Sequence, residues 1–369
     1  MTEIRPIDLP EKDIPLRSDV SLLGSLVGDV LADQHGRHLL YRVEAVRKAS
    51  IRSREGSGQD ESLDDALAGL EAQDAMLLIQ AFASYLRAVN LAEKVHRIRR
   101  RRAYQREGAS AQQGSLEAVL AELAAAGLDP EALADAINNL RIQPVFTAHP
   151  TEATRRTIQE KEYDIVLRLV ERLNPELTPG EEKLALQRIR AAITSSWQTR
   201  LVPHARPTVA DELDNILFYI TDILYRVVPA FYEAVEQAYQ GQFGDTPPGF
   251  LKRIILRFGS WVGGDMDGNP NVTSTTILET LARQRAVIIE RYQPDIRRLG
   301  RYLSQSETEI GISAGVINQL RRYRELLPDI SRSIPERHRE MPYRCLLKMV
   351  AGRLQATLDD SGQGYSKAG

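Results

Sequence analysis

The feature that most constrains how this chain can fold is an apolar periodicity of three and four residues, which runs through most of the sequence. Between Ser18 and Leu31, for example, valine and leucine recur at these intervals, and such spacing is typical of one face of an amphipathic α-helix. The same periodicity predicts further helices over residues 62–102, 115–126, 130–140, 152–173, 180–199, 208–239, 276–302, 313–327 and 342–358. The sequence therefore predicts a predominantly α-helical protein.

Two of these segments carry helix-start signals. Thr178 precedes Pro179, and Glu181 lies in the first predicted turn, where proline and acidic side chains suit the unpaired amides of a helix N-terminus. Thr276, followed three residues later by Glu279, predicts a capping box at the start of another helix. We therefore expect helices that begin directly after Thr178 and Thr276.

Two segments depart from the helical pattern, residues 142–148 (IQPVFTA) and 253–262 (RIILRFGSWV). Both are rich in β-branched or aromatic side chains and end in turn-forming residues, so we predict that each is a strand leading into a helix. Two strands do not form an independently stable sheet. Either they pair with strands outside this chain, or they are buried extended pieces of a largely helical protein.

Composition and charge exclude several classes of protein. Lys and Arg number 48 against 50 Asp and Glu, and this near balance gives no general attraction to nucleic acid or to acidic lipid. The single cysteine, Cys345, excludes an intrachain disulfide and a multi-thiolate metal site. The sequence has no run of about 18 apolar residues, and its N-terminal residues do not follow the pattern of a signal peptide. We therefore expect a cytoplasmic protein without nucleic-acid or membrane partners.

A basic run at residues 96–102 (HRIRRRR) departs locally from this charge balance. Nucleic acid or an acidic partner could bind it, but no aromatic residues are interleaved with the arginines. We interpret the run as a solvated helix end or as a contact between subunits.

The order of the segments predicts three parts. Residues 1–141 form an N-terminal helical region, and residues 142–358 form a second region that contains both predicted strands. Residues 359–369 (DDSGQGYSKAG) contain no apolar anchor, so we predict a disordered tail.

The first candidate for chemistry is the segment TAHPTEATRR, residues 147–156. His149 follows a predicted strand, and Pro150 disfavours a helical backbone at that histidine. The predicted helix that follows brings Arg155 and Arg156 into its first turns, so a proton-transfer group lies beside two permanent cations. This combination suits an anionic substrate. The alternative is a structural histidine with surface arginines, and the residues alone do not decide between the two.

The second candidate is the glycine-rich segment FGSWVGGDMDGNPN, residues 258–271. Asp265, Asp267 and Asn269 alternate as at the start of a calcium loop, but the sixth and twelfth positions of that loop would be proline and threonine instead of glycine and glutamate. The Gly-Lys-Ser/Thr end of a phosphate-binding Walker loop is also missing from the segment. On the residues alone we favour a structural turn in which acidic side chains cap backbone amides.

Both motifs resemble those of the phosphoenolpyruvate carboxylase family, in its bacterial type. VFTAHPTEATRR (145–156) resembles the histidine signature of the family, and FGSWVGGDMDGNPNVT (258–273) resembles its second characteristic segment. Further similar stretches occur at residues 16–31, 205–213 and 341–354. The resemblance therefore covers nearly the whole sequence.

The resemblance implies a fold and an activity. Members of the family form a (β/α)8 barrel with many extra helices, and the two predicted strands resemble the first two strands of that barrel. They carboxylate phosphoenolpyruvate with bicarbonate to oxaloacetate and phosphate, with Mg²⁺ or Mn²⁺, and the resemblance further implies a homotetramer that responds to allosteric metabolites. Because family members are more than twice as long, we expect an N-terminal fragment that is inactive alone and whose metal ligands lie outside this chain.

The resemblance also implies roles for individual residues. His149 would manage the proton of carboxyphosphate, while Trp261 and Arg155 would belong to the substrate or CO₂ pocket. Arg156 and Arg344 resemble positions that bind sugar-phosphate activators in plant-type relatives, and structural salt bridges are the alternative for both.

The glycine-rich segment is expected to serve as a structural loop, through residues Gly263, Gly264, Asp265, Asp267 and Asn269. Met266 occupies a position where many family members have arginine, and we assign it no catalytic role.

A second hypothesis is a non-catalytic helical module that recognises a phosphorylated metabolite through Arg155, Arg156 and their neighbours. A natural reading frame that continues beyond Gly369 would favour the carboxylase, whereas a natural stop there would favour the regulatory module. The combined presence of the histidine motif and the glycine-rich loop favours the carboxylase.

Overall fold

The structure is a computed structural model that describes residues 10–55, 63–107, 111–147, 155–200 and 208–365. In chain order its helices and strands are α1 Ile14–His35, α2 Arg37–Glu55, α3 Leu63–Leu67, α4 Ala72–Glu107, α5 Leu116–Ala125, α6 Pro130–Asn138, β1 Val145–Phe146, α7 Arg156–Glu171, α8 Pro179–Trp197, α9 Val209–Phe218, α10 Tyr225–Phe243, β2 Gly259–Ser260, α11 Ser274–Tyr302, α12 Ala314–Leu326, α13 Pro328–Arg332 and α14 Pro342–Leu358. A π-helical turn, Tyr219–Leu224, joins α9 to α10, and 3₁₀ turns lie at Glu11–Asp13 and Glu336–His338. The predicted predominantly helical fold is confirmed.

The helices group into two units. The first contains Met1–Val119 and Thr151–Arg206, and the second contains Leu120–Pro150 and Pro207–Gly369. This division differs from the predicted boundary at residue 141, which lies inside the second unit. The physical reason is that packing joins segments far apart in sequence, whereas composition suggests only contiguous boundaries.

Helix starts follow the capping chemistry of threonine. Thr178 Oγ1 accepts the Glu181 amide at 3.3 Å and the Thr178 amide donates to Glu181 Oε2 at 2.9 Å, so the predicted start of α8 is confirmed. Hydrogen bonds from Thr178 lower the pKa of Glu181 below its usual range. The box predicted at Thr276 is wrong, because Thr276 is the third residue of α11 and donates its amide to the true N-cap, Thr273, at 3.3 Å.

The core of the first unit is formed by α1, α2, α4, α7 and α8. Leu31, Ala92, Val95 and Ile189 are fully buried there. Within the described ranges, α4 is the one helix with a stretch whose length and hydropathy would suffice to cross a bilayer. Its buried residues, Ala92 and Val95 among them, pack in this core, and 28% of the stretch is buried.

A polar network links the end of α4 to α1. The Arg99 guanidinium donates to Asp19 Oδ2 at 2.6 Å and lies 3.1 Å from His96 Nδ1. Because a guanidinium only donates, His96 Nδ1 accepts, and its Nε2–H donates to Asp13 Oδ1 at 3.2 Å. Asp19 and His96 are buried. The interpretation of the basic run as a solvated helix end is therefore wrong for Arg99.

Residues near the end of the described chain pack against α12 and α14. The Arg353 guanidinium carbon lies 3.9 Å from the centroid of the Tyr365 ring and 5.0 Å from that of Tyr323. The Tyr365 amide donates to Thr357 Oγ1 at 2.8 Å. The disorder predicted for residues 359–369 is thus not observed as far as Tyr365, because cation–π contacts provide an anchor that composition did not show. Residues 366–369 lie outside the described residues.

Candidate active site

Strands β1 and β2 pair in parallel, with Val145 and Phe146 opposite Gly259 and Ser260. Just beyond the pair, the Trp261 amide donates to the Phe146 carbonyl at 2.8 Å. The two predicted strands therefore pair with each other, over two residues in β1 and β2 and through a further parallel bridge between Ile142 and Leu256. In a parallel pair both carboxyl ends lie at the same edge, so the residues that follow Phe146 and Ser260 leave the sheet side by side.

The exposure of this small sheet bears on the alternative that both strands are buried extended pieces of a helical protein. Val145 is 45% exposed, and Trp261 is 54% exposed. The strands are therefore not buried extended pieces within the described part of the chain. That further strands complete the sheet stays a prediction.

The histidine motif, residues 145–156, includes β1 and continues beyond Thr147. Residues 148–154, which include His149, lie outside the described residues, so the role of this histidine stays a prediction. Trp261 follows β2 at the edge where β1 ends. Because its ring is more than half exposed, the described residues do not enclose the apolar pocket predicted around it.

The turn after β2 requires glycine at position 263. Gly263 has a φ of +76°, a conformation that strains any residue with a Cβ, and it is buried. A Cβ at this position would lie 2.1 Å from Thr280 Oγ1 on α11. The neighbouring Val262 packs on Leu213 and Leu217 of α9. Helices α9 and α11 thus hold the beginning of the loop from two sides.

The rest of the loop is held by its own polar side chains. The Gly268 amide donates to Asp265 Oδ1 at 3.1 Å, and the Asn271 amide donates to Asn269 Oδ1 at 3.0 Å. A Cβ at Gly268 would lie 2.3 Å from Asp265 Oδ2 and would displace this carboxylate from its present position. These contacts support the structural role expected for Asp265 and Asn269.

Much of the same loop, including Gly264, Met266 and Asp267, is exposed to solvent. The part of the chain that the structure describes contains no group of three or more His, Cys, Asp or Glu side chains that could hold a metal ion. The described residues therefore do not fit a metal centre.

In the first unit, Arg155 and Arg156 lie at the start of α7. Arg156 Nε donates to Glu160 Oε1 at 2.9 Å, and both side chains are about half exposed. Arg155 occupies the N-cap position and lines an open cavity of about 670 Å³ between α7 and α8, together with Lys161 and Arg188. Arg156 thus forms a salt bridge of the kind that was the alternative to activator binding, and Arg155 lines a cavity of mixed charge that also contains Glu160 and Asp164.

Another cavity, of about 550 Å³, lies between α11, α13 and α14 of the second unit. Its described lining combines basic side chains with an apolar floor and includes no acidic residue. The basic members are Arg297, Arg301, His338, Arg344 and Lys348. Burial, followed by the charges of Arg344, Arg337 and Lys348, lowers the pKa of His338 and so disfavours its protonated form.

Sequence reasoning identified Arg344 but missed the other members of this basic cavity. Arg297 and Arg301 are four residues apart on α11, and Arg344 and Lys348 are four apart on α14, so each pair lies on one helix face. This spacing is visible in the sequence. Only the packing of α11 on α14 shows that the two faces converge on one cavity.

Comparison with known proteins points to one family. The family model described as phosphoenolpyruvate carboxylase matches residues 16–368. The phosphoenolpyruvate carboxylase of Xanthomonas oryzae pv. oryzae is 46% identical over 355 residues, which are 96% of this chain and 39% of that protein. Those of Paraburkholderia xenovorans (37% identical, 94% of this chain, 34% of that protein) and Nitrosomonas europaea (34% identical, 94% of this chain, 36% of that protein) are similar over nearly the same extent. The chain thus spans less than two fifths of the length of these relatives.

Proposed function

Because the chain belongs to the phosphoenolpyruvate carboxylase family, we propose that the protein carboxylates phosphoenolpyruvate with bicarbonate, forming oxaloacetate and phosphate. The observation that carries this proposal is the parallel pairing of β1 and β2. It brings the residues that lead into the histidine motif and the glycine-rich loop to one edge of the sheet. Active sites of parallel barrels form at the edge where the strands end.

In the proposed reaction, a bicarbonate oxygen takes the phosphoryl group of phosphoenolpyruvate, giving carboxyphosphate and the enolate of pyruvate. His149 accepts the proton of carboxyphosphate, which then splits into CO₂ and phosphate. The enolate carbon attacks CO₂ and forms the new carbon–carbon bond. An imidazole suits this proton transfer, because the ordinary pKa of histidine lies near the working pH.

We assign Trp261 to an apolar wall that holds CO₂ beside the enolate. An uncharged gas gains little from polar groups, and water in the same space would protonate the enolate. The backbone amide of Trp261 is tied to the Phe146 carbonyl, so the indole is attached to the strand end that leads to His149. Arg155 provides positive charge for the anionic substrates.

Mg²⁺ or Mn²⁺, when bound, contributes positive charge that stabilises the anionic groups of the substrates. The described residues do not provide a cluster for such an ion, so no step above passes through it. We further propose that the whole enzyme is a cytoplasmic homotetramer that binds neither nucleic acid nor membranes, in keeping with its balanced charge.

A polypeptide of these 369 residues is expected to form no oxaloacetate by itself, because it spans only 39% of the Xanthomonas relative. The whole enzyme is expected to release oxaloacetate and phosphate in equal amounts, and only when bicarbonate is present. Both products would be measured for both proteins, purified from a host that lacks its own carboxylase. Oxaloacetate from the 369-residue polypeptide would contradict the first expectation. A whole enzyme that releases neither product would contradict the proposed function.

We also propose that a phosphorylated metabolite regulates the enzyme by binding in the basic cavity that contains Arg344. The convergence of Arg297, Arg301 and Lys348 on the same space, without an acidic residue in the described lining, favours this second role. Such a cavity concentrates positive charge that a phosphate group can neutralise through charge-assisted hydrogen bonds.

Replacing Arg344 by alanine is expected to weaken binding of a hexose phosphate to the whole enzyme by about tenfold to 100-fold, the usual size of hydrogen bonds to charged groups. Arg297→Ala should have a similar effect, because Arg297 lines the same cavity. Arg298→Ala is the matched control, since this neighbour is 78% exposed and pairs with Asp295. Isothermal titration would measure the affinities. Equal losses in all three variants would contradict the assignment.

A further inference from the structure

The helix between α9 and α10 is irregular at one turn. Over Tyr219–Leu224 the backbone is π-helical, and the Tyr225 amide donates to the carbonyl of Ile220, five residues earlier. Pro229 lies inside α10, and because proline has no N–H, the Tyr225 carbonyl receives no helical hydrogen bond from that position. Such π-helical turns are rare and occur frequently at functional sites.

The irregular turn is held in the second unit by buried contacts. Thr221 is buried, and its hydroxyl donates to the Leu217 carbonyl at 2.9 Å. Leu217 in turn packs on Val262, next to the glycine-rich loop. The position of the turn relative to the loop is therefore determined by packing.

At the start of this turn, Tyr219 lies against the end of β1. Its ring is stacked on that of Phe146, with centroids 6.5 Å apart and planes inclined by 28°. The Phe218 ring meets Tyr219 edge-on, with centroids 5.7 Å apart. Offset-stacked and edge-on geometries at these separations are the favourable ones for aromatic pairs.

Phe146 is the point through which this contact can act on the site. It is the last residue of β1, its carbonyl accepts the Trp261 amide, and His149 follows it by three residues in the sequence. A ring that packs on Phe146 therefore holds the end of β1, after which the sequence continues to His149, and the carbonyl that accepts the Trp261 amide.

We propose that Tyr219, placed by the π-helical turn, is a positioning residue for the carboxyl end of β1 and thereby for proton transfer by His149. This inference rests on the proposed function. In this proposal, the π-helical turn places the Tyr219 ring against Phe146. Misplacement of a catalytic group by about 1 Å costs on the order of 100-fold in rate, so a contact at the strand end suffices for a large effect.

The test compares Tyr219→Ala with Tyr219→Phe in the whole enzyme. The alanine variant is expected to form oxaloacetate about tenfold to 100-fold more slowly. Its ratio of oxaloacetate to phosphate should also fall, because carboxyphosphate breaks down without productive transfer of CO₂. The phenylalanine variant keeps the ring and should retain the parent ratio. Tyr163→Ala is the control, since Tyr163 on α7 is 60% exposed.

A second measurement does not depend on activity. Hydrogen exchange of the Trp261 amide, which is bonded to Phe146, should be faster in Tyr219→Ala than in the parent and unchanged in Tyr219→Phe. If the alanine variant does not fold, Tyr219→Leu takes its place in both measurements.

The two proposals fail in different ways. A parent enzyme without carboxylation would overturn the proposed function, while the exchange measurement would still test the contact. An unchanged product ratio in the alanine variant, an unchanged exchange rate, or an equal defect in the phenylalanine variant would overturn the positioning role.

Discussion

Replacement of His149 by asparagine is expected to convert the whole enzyme into one that hydrolyses phosphoenolpyruvate in a bicarbonate-dependent reaction. Asparagine keeps a polar side chain of similar reach but cannot transfer a proton. Phosphoryl transfer to bicarbonate should persist at a reduced rate, because the cations of the site still stabilise it. Oxaloacetate formation should fall by about 100-fold to 10,000-fold, the usual contribution of general acid–base catalysis. Phosphate and pyruvate should therefore appear with little oxaloacetate.

The measurement is the parallel release of phosphate, pyruvate and oxaloacetate, with and without bicarbonate. His38→Asn is the control, because His38 is exposed on α2 and lies outside the proposed site. Near-equal oxaloacetate and phosphate at the parent rate would show that His149 does not transfer the proton. A folded variant that binds substrate but releases no phosphate would place His149 in the earlier phosphoryl transfer.

Gly263→Ala is expected to destabilise the protein far more than Gly264→Ala in the same loop. A left-handed backbone costs a residue with a Cβ roughly 1–2 kcal/mol, and overpacking of a buried site costs typically 1–3 kcal/mol. Both apply at Gly263, because its φ is +76° and its Cβ would collide with Thr280 Oγ1. We therefore expect a loss of about 2–4 kcal/mol in the free energy of unfolding.

Urea unfolding of the 369-residue polypeptide would measure this loss. Gly264→Ala is the matched control: the nearest atom to its Cβ would be the Trp261 carbonyl oxygen at 3.7 Å, an ordinary contact. Adding Thr280→Ala to Gly263→Ala should recover the part of the loss that is due to collision but not the part that is due to backbone strain. Equal stabilities of the Gly263 and Gly264 variants would show that neither effect operates.

The motifs were accessible from the sequence because their chemistry is local. The Asp265 carboxylate, for example, accepts the amide of Gly268, which is only three residues later in the sequence. The basic cavity was not accessible, although Arg344 was identified. Its members come from separate helices whose faces meet only through packing, and no short-range pattern encodes which faces meet.

The π-helical turn is a second feature that the sequence does not predict. Pro229 predicts a disturbance of the helix around it, because proline removes a hydrogen-bond donor. It does not predict that the disturbance becomes a wide turn at 219–224, nor that Tyr219 then stacks on Phe146. These outcomes depend on the neighbouring strand, which lies more than 70 residues earlier in the chain.

The sequence alone predicted the helical class, the limits of several helices, the start of α8 after Thr178 and the two segments that contain the strands, but it did not predict α2. Helix hydrogen bonds and caps join residues three to five apart, so the information for them is contained in short stretches. Only the tertiary structure shows that β1 and β2 pair in parallel, that Val145 lies opposite Gly259, and that Thr147 and Trp261 follow the strands at one edge. It also decided that Arg99 enters a buried network and that Tyr365 is anchored by Arg353. These contacts join residues that are distant in sequence. Local chemistry allows many such pairs, and the packing of whole helices selects the pairs that form.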